Sequence, residues 1–197
     1  MTGPTSEQEI DNLVQKIAET LKSQNLRYRQ LKLLPSKLDR TPHHSWSGIG
    51  VELFSQIFIV PLHEILEILP VPRYSRVPGG QAWLLGVSNI RGNLLPLCDL
   101  SSLIKGTKIT FGSKKRALVV SHGDLMIAFV VDHVIGLQHF AMSELSEEVP
   151  DTFDPAVLPL IIGSCVRKIT NRTEASPVLS LYRLIKNPNF LLTAVEN

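Results

Sequence analysis

Leu85 to Leu100 reads LGVSNIRGNLLPLCDL, two apolar runs around a polar tip in which Arg91 is the only charge before Asp99. The pair Gly92-Asn93 is a two-residue turn signal, because both residue types tolerate positive φ at little steric cost. The stretch therefore predicts a β-hairpin with Arg91 at a rigid, exposed turn. A guanidinium held on a stiff hairpin loses little entropy when it binds a partner's carboxylate or carbonyl groups.

The segment that ends this stretch occurs twice in the chain. Asp99 to Gly106 reads DLSSLIKG, and Ser180 to Asn187 reads SLYRLIKN. Each begins with an N-cap residue, has a basic residue in its last turn and ends on a residue that tolerates the left-handed conformation, which predicts two short helices. Pro96 and Pro177 precede them at equal distance. Since proline lacks the ladder donor, we expect both runs to be edge strands or strand ends.

The repetition extends further upstream. Leu84-Leu85-Gly86 corresponds to Ile161-Ile162-Gly163, and the strand-turn-strand unit from Val51 to Val60 corresponds to that from Ala117 to Val131. Short β-branched runs bounded by turn residues favour strands over helices. The sequence predicts a mainly β protein made of two similar modules, each ending in a short helix. Such a duplication is typical of a small barrel whose closure removes exposed strand edges.

Composition limits the functional classes. The 197 residues are 44% hydrophobic and 19% charged, which is typical of a globular chain. The formal net charge of +2 is too small to indicate general attraction to nucleic acid or to a membrane surface. No signal peptide or long apolar run is present, so we expect a cytoplasmic protein without direct membrane insertion. Cys98 and Cys165 are expected to be small buried residues.

The N-terminal part differs in texture. Ser6 and Glu9 form a capping-box pattern, and apolar residues then recur at helical spacing, which predicts an amphipathic helix over about residues 6–23. A basic stretch follows, up to Pro42. We divide the chain into an N-terminal helix and basic linker (1–45), a double-barrel domain (46–187) and a C-terminal tail (188–197). The extension is either a solvated linker with a helix that packs on its own domain, or a partner-binding arm.

The candidate catalytic and metal-binding patterns in the chain are incomplete. Cys98-Asp99 beside a histidine has the residue types of nucleophilic catalysis, but a strand core residue followed by a helix N-cap explains the pair better. His43-His44 and Asp132-His133 lack the spacing of metal ligands. Gly79-Gly80 is not followed by the lysine and serine of a phosphate-binding loop. We expect no metal, no cofactor and no catalytic activity.

A basic cluster supplies the alternative function. Phe111 is surrounded in sequence by Lys105, Lys108, Lys114, Lys115 and Arg116. A basic face with an aromatic side chain is a feature of nucleic-acid-binding small barrels. One aromatic residue is a poor stacking platform, so we interpret the cluster as a solubilising loop. An enzyme that uses a reactive Cys98 thiolate is the third hypothesis, and it requires a low thiol pKa.

Three segments together resemble a known family. Trp83 to Leu100 closely resembles the signature of CheW-type chemotaxis coupling proteins, Ala128 to Val134 resembles the second signature, and Ile161 to Lys186 resembles the closing segment. The resemblance covers Trp46 to Lys186, with Ala128 in place of a usual glycine. The N-terminal extension and the segments near Phe58 and Pro72 are similar to the branch that serves type IV pilus (twitching motility) chemosensory systems.

The resemblance implies two SH3-like five-stranded β-barrels packed about a common core. It also implies a non-catalytic adaptor that joins the cytoplasmic tip of a methyl-accepting chemoreceptor to the regulatory domain of a CheA-type histidine kinase. By motif, the receptor-binding role falls on six residues: Asn89, Arg91, Gly92, Leu94, Ile65 and Glu67. The kinase-facing surface is less bound to a motif, so no residues are assigned to it.

Overall fold

The computed structural model describes residues 45–186, apart from residues 108, 111, 124, 150–152, 170 and 171. The expected helix over residues 6–23, the basic linker and the tail over 188–197 lie outside the described residues.

The described chain is mainly β, as predicted. The α-helices are α1 (Leu100–Lys105) and α2 (Leu181–Lys186), and single 3-10 turns cover Leu62–Glu64, Met142–Glu144 and Leu158–Leu160. The strands are β1 (Ser45–Leu53), β2 (Gln56–Pro61), β3 (Ile65–Pro70), β4 (Leu84–Ile90), β5 (Asn93–Asp99), β6 (Arg116–His122), β7 (Leu125–Val131), β8 (His133–Ala141), β9 (Leu145–Ser146), β10 (Ile161–Ile169) and β11 (Arg172–Leu179).

The strands form two mixed sheets, one for each SH3-like barrel. Sheet A has the order β8-β1-β2-β11-β10-β9, and sheet B has the order β3-β6-β7-β5-β4. Each sheet joins a hairpin from one half of the chain to strands from the other half. The expectation of two consecutive modules is therefore wrong in one respect, because neither half closes a barrel alone. The connections are short: Asp132 alone separates β7 from β8, and one 3-10 turn separates β2 from β3, so the chain passes directly to the other sheet, where parallel pairing completes each barrel.

Two glycines show how closely the halves repeat. Gly86 in β4 and Gly163 in β10 have φ of 150° and 156°, and a register irregularity lies beside each of them. A Cβ atom on Gly86 would meet the backbone carbonyl of Ser75, and one on Gly163 would meet that of Ser146. Both positions need glycine because the backbone is left-handed and another chain segment lies against it. The predicted duplication is confirmed.

The hydrophobic core has three parts. The largest cluster lies between the sheets and includes Phe58 from sheet A, Phe129 from sheet B and Leu181 from α2, all with 0% exposure. A second cluster around Leu97 fills the other face of sheet B, and a third around Cys165 fills that of sheet A. Full burial of one such aliphatic or aromatic side chain stabilises the fold by roughly 1.5–3 kcal/mol. The cluster between the sheets is shared by both barrels and therefore fixes their relative position.

The prolines mark neither edge strands nor strand ends, contrary to expectation. β5 lies between β4 and β7, and β11 lies between β10 and β2. The parallel pairing of β5 with β7 begins at Leu97, just after Pro96, and Val178, just after Pro177, pairs with Ile59. Each proline thus lies just before the parallel pairing with the second neighbouring strand begins. At that position the missing N–H removes no hydrogen bond from the parallel ladder.

Both short helices begin as predicted. The Asp99 Oδ1 atom accepts a hydrogen bond from the Ser102 backbone N–H at 2.9 Å, and Ser180 Oγ accepts one from the Arg183 N–H at 3.2 Å. α1 ends at Gly106, whose φ of 63° is left-handed. These hydrogen bonds satisfy helix-end donors that would otherwise be unpaired.

Candidate functional site

The β4–β5 hairpin ends in a turn formed by Arg91 and Gly92, with φ values of 52° and 84°. The predicted pair Gly92-Asn93 is displaced by one residue, because Asn93 pairs with Ile90 in the ladder. A two-residue turn that matches the twist of the strands needs positive φ at both central positions. Arg91 therefore sits within the turn itself and not beside it. We call residues 89–94 the Arg91 turn.

The Arg91 turn is held by the side chain of Asn89. Asn89 Oδ1 accepts a hydrogen bond from the Gly92 backbone N–H at 2.9 Å. The left-handed conformation costs a residue such as arginine about 1–2 kcal/mol, whereas glycine adopts it freely and asparagine at lower cost. Strain of this kind is concentrated at functional sites in proteins. An arginine at this position therefore carries a conformational cost that glycine would not.

An ion pair between Arg91 and Glu67 also links the two edges of sheet B. The Arg91 Nη2 atom donates to Glu67 Oε1 at 2.5 Å, which links the hairpin tip to β3 at the opposite edge of sheet B. The Arg91 side chain is 70% exposed and the Glu67 side chain 25% exposed. An ion pair this accessible to water contributes only up to about 1 kcal/mol to stability. The pair orients the guanidinium at low cost and leaves most of its surface open to a partner.

Among the six residues assigned by resemblance, one hydrogen bond joins Arg91 to Glu67 and a second joins Gly92 to Asn89. Leu94 pairs with Asn89 across the hairpin and is 39% exposed. Ile65 is placed differently: it pairs with Val120, is half-buried and packs against the central core. The described geometry thus forms one polar and apolar surface around the turn, with Ile65 in a supporting position.

The basic segment before β6 is not the solubilising loop that its sequence predicts. Lys115 is only 8% exposed, and its Nζ atom lies 2.9 Å from Asp99 Oδ2 and 3.0 Å from Asp132 Oδ1. Burial alone lowers the pKa of Lys115, but the hydrogen bonds and charges of the two aspartates outweigh burial and raise the pKa. A charge neutralised in this way is not available to a phosphate backbone.

Two further cations of this segment also have partners. Lys105 forms an ion pair with Asp154 at 2.5 Å and lies 4.1 Å from the centre of the Phe54 ring. Arg116 donates to the backbone carbonyls of Ser113 and Lys115, both at 2.8 Å. Lys105, Lys115 and Arg116 therefore support the local fold, whereas Lys114 is exposed and Lys108 and Phe111 lie outside the described residues. The internal partners of these three cations disfavour a nucleic-acid-binding surface here.

The cysteines behave as predicted small core residues. Cys98 and Cys165 are both buried and free. Burial, and then the charge of Asp99, raises the pKa of the Cys98 thiol, and burial raises that of Cys165 to about 12. A nucleophilic cysteine needs a lowered pKa and access to substrate. The Cys98 thiol has a raised pKa and is buried, so the structure does not support the hypothesis of an enzyme that uses Cys98.

The described residues include no helix that is both long and apolar enough to cross a bilayer. In the same part of the chain, no group of three or more His, Cys, Asp or Glu side chains is arranged to bind a metal ion.

Comparison with known proteins identifies the family. The pattern of the CheW-like domain matches residues 47–188. The chain belongs to the CheW family. It is 38% identical to the protein PilI of Pseudomonas aeruginosa over 152 residues, which cover 77% of this chain and 82% of PilI. It is 34% identical to the chemotaxis protein CheW of Helicobacter pylori over 105 residues, covering 53% and 62% of the two chains.

A solved structure supports the fold of this CheW-family chain. The scaffolding protein TtCheW from Thermoanaerobacter tengcongensis superposes with a TM-score of 0.61 over 76% of this chain and 93% of that one, at 15% identity. Proteins of the CheW family are non-catalytic scaffold proteins of chemosensory signalling. The relationship to PilI indicates the branch associated with pilus chemosensory systems.

Sequence reasoning missed two carboxylates that hold this CheW-family fold together. Asp132 accepts hydrogen bonds from the Phe54 N–H and from Ser101 Oγ, each at 3.2 Å, in addition to its contact with Lys115. Glu64 occupies the corresponding place beside α2, where it is 4% exposed. Their partners are distant in sequence, so no local pattern reports them. The available signal was a single acidic residue between two apolar strands, in both halves.

Proposed function

We propose that this protein couples the cytoplasmic tip of a methyl-accepting chemoreceptor to a CheA-type histidine kinase in a pilus-linked chemosensory system. The observation that carries the proposal is the exposed guanidinium of Arg91, set on a tight turn and oriented by Glu67. It is supported by membership of the CheW family and by similarity to PilI. The site is cytoplasmic in this proposal, at membrane-associated receptor arrays.

The Arg91 turn has the properties of a preorganised recognition element. Its backbone is fixed by the hairpin and by the Asn89–Gly92 hydrogen bond, so binding orders little additional chain. A guanidinium presents several N–H donors in a planar fork. While one N–H group holds Glu67, other donors remain for carboxylate or carbonyl oxygens at the tip of a receptor's helical hairpin.

The neighbouring surface supplies an apolar contact. Leu94 emerges beside Asn89 with 39% of its surface exposed. An aliphatic side chain next to an arginine suits a helical tip that presents an apolar residue close to a polar one. In this proposal Leu94 and Arg91 touch the receptor, Asn89 and Gly92 shape the turn, and Glu67 orients the guanidinium. Ile65 supports the strand that carries Glu67.

The kinase end of the coupling rests on family membership alone. The regulatory domain of a CheA-type kinase is the partner that the resemblance implies, and no residues of this chain are assigned to that contact. Two barrels locked by one shared core give a rigid body, which an adaptor needs if it is to transmit a change in position between partners.

The test is binding of a soluble receptor signalling fragment to an Arg91→Asn variant, measured by calorimetry. Asparagine tolerates the left-handed turn, so the substitution removes the charge and keeps the backbone. We expect at least a tenfold loss of affinity, with the free energy of unfolding unchanged within about 1 kcal/mol. The matched control, Arg76→Asn, removes an exposed arginine outside the site and should bind as wild type. Wild-type affinity in Arg91→Asn would show that the receptor site lies elsewhere.

A further inference from the structure

The outer edge of sheet A carries exposed apolar side chains. Burial alternates along β8, and Ile135 and Leu137 are 39% and 50% exposed, while Met142 in the following turn is 56% exposed. β8 is a nine-residue strand at the edge of its sheet. A long edge strand with apolar side chains favours pairing with another chain segment, and most proteins cover or charge such edges.

We call the surface formed by Ile135, Leu137 and Met142 the β8 surface. The acidic residues that follow Met142 lie against β10 instead, since Glu147 is next to Gly163 and the backbone carbonyl of Glu148 accepts a hydrogen bond from Ser164 Oγ. A segment that covers the β8 surface should therefore carry apolar side chains.

Residues 24–44 carry apolar side chains and join the described chain next to the β8 surface. Residues 24–44 contain five Lys or Arg residues and one Asp, together with Leu31, Leu33 and Leu34. The described chain begins at Ser45, which pairs with Ala141 directly beside the β8 surface. The extended chain from Leu34 to Ser45 reaches up to about 35 Å, whereas Leu137 lies only about 13 Å along β8 from Ala141. The segment therefore reaches the surface with length to spare.

We propose that residues 24–44 lie along β8, with their leucines on Ile135, Leu137 and Met142. The N-terminal extension then covers apolar side chains that would otherwise be exposed at the edge of sheet A. This surface belongs to sheet A, whereas the Arg91 turn belongs to sheet B, so the inference does not depend on the proposed receptor contact.

Limited trypsin digestion of the full-length protein provides the first measurement, because the segment contains five cleavage sites. The double variant Ile135→Ser/Leu137→Ser removes the apolar contacts, and we expect cleavage within residues 24–44 to become at least fivefold faster. The control is Ile162→Ser/Val166→Ser, which changes two comparably exposed apolar residues on β10, 37% and 42% exposed. Its cleavage rate should equal that of wild type. An unchanged rate in Ile135→Ser/Leu137→Ser would overturn the proposal.

Disulfide trapping provides the second measurement and distinguishes the possible occupants. Because both native cysteines are buried, the double variant Leu33→Cys/Leu137→Cys reports only on the new pair. We expect an intramolecular disulfide that forms at least tenfold faster than in Leu33→Cys/Val166→Cys. Equal rates would show that the linker has no preferred site. A concentration-dependent dimer of Leu137→Cys alone would assign the surface to a second copy. Loss of kinase-domain binding in Ile135→Ser/Leu137→Ser, without faster cleavage, would assign it to that partner.

Discussion

The buried carboxylate of Glu64 should be one of the strongest single contributors to stability. Its Oε1 atom accepts a hydrogen bond from Ser180 Oγ at 2.7 Å, and its Oε2 atom accepts bonds from the N–H groups of Leu181 and Tyr182 at 2.6 and 3.1 Å. These bonds join the turn after β2 to the start of α2, more than a hundred residues later. Glu64→Ala removes all three and leaves two helix-end donors buried without a partner.

The expected cost follows from those contacts. A hydrogen bond to a charged acceptor contributes about 1.5–3 kcal/mol net, and single substitutions rarely exceed about 5 kcal/mol. We therefore expect Glu64→Ala to lower the free energy of unfolding by about 4 kcal/mol, and the melting temperature by about 8–16 °C. Glu64→Gln keeps one acceptor oxygen and should lose about half as much free energy.

Urea unfolding monitored by the fluorescence of Trp46 and Trp83 measures this loss. The control is Glu67→Ala, three residues away, which breaks only the accessible ion pair with Arg91 and should cost no more than about 1 kcal/mol. If Glu64→Ala and Glu67→Ala unfold at the same urea concentration, then Glu64 does not anchor α2 and the reasoning fails.

Three further predictions concern packing and charge. Gly163→Ala should cost about 2–4 kcal/mol, because φ is 156° and the new Cβ meets the Ser146 carbonyl, whereas Gly112→Ala meets open space and should be neutral in the same unfolding assay. Leu97→Ala should cost about 2–5 kcal/mol through a cavity at a site with 0% exposure, whereas exposed Leu94→Ala should change stability by less than about 0.5 kcal/mol, as urea midpoints will show. The Lys115 pKa is raised in the folded state, so its stabilisation is complete below the unfolded pKa of about 10.4 and is lost as pH rises through the folded value. The stability deficit of Lys115→Met, measured from pH 8 to 11.5, should therefore narrow at the alkaline end, and a deficit independent of pH would contradict this role.

Local and repetitive features of this fold can be predicted from the sequence. The helix caps at Asp99 and Ser180 depend on neighbours within a few positions, and the burial of both cysteines follows from the apolar runs in which they lie. Comparison of the two halves also reveals the duplication. The family signature then identifies the turn that carries Arg91, and the structure places Glu67 directly against it.

Features that depend on distant partners were missed or misread. The exchange of hairpins between the sheets follows from parallel pairings of β5 with β7 and β11 with β2, which no local pattern encodes. Lys115 looks like a surface lysine because its neighbours in sequence are basic, yet its two aspartates come from β5 and the β7–β8 junction. The displaced turn has a similar origin, since hairpin register depends on which residues pair across the strands and not on turn propensity alone.

The charge-swapped variant Glu67→Arg/Arg91→Glu tests the central claim most directly. It preserves the ion pair within the chain and reverses the sign of the charge that faces outward. If Arg91 donates hydrogen bonds to oxygens of the receptor tip, the variant should have a free energy of unfolding within about 1 kcal/mol of wild type. Its affinity for the receptor fragment should nevertheless fall at least tenfold. If the pair serves only to close the barrel, the variant will bind the receptor fragment as tightly as wild type, and the assignment of the Arg91 turn as the receptor site is wrong.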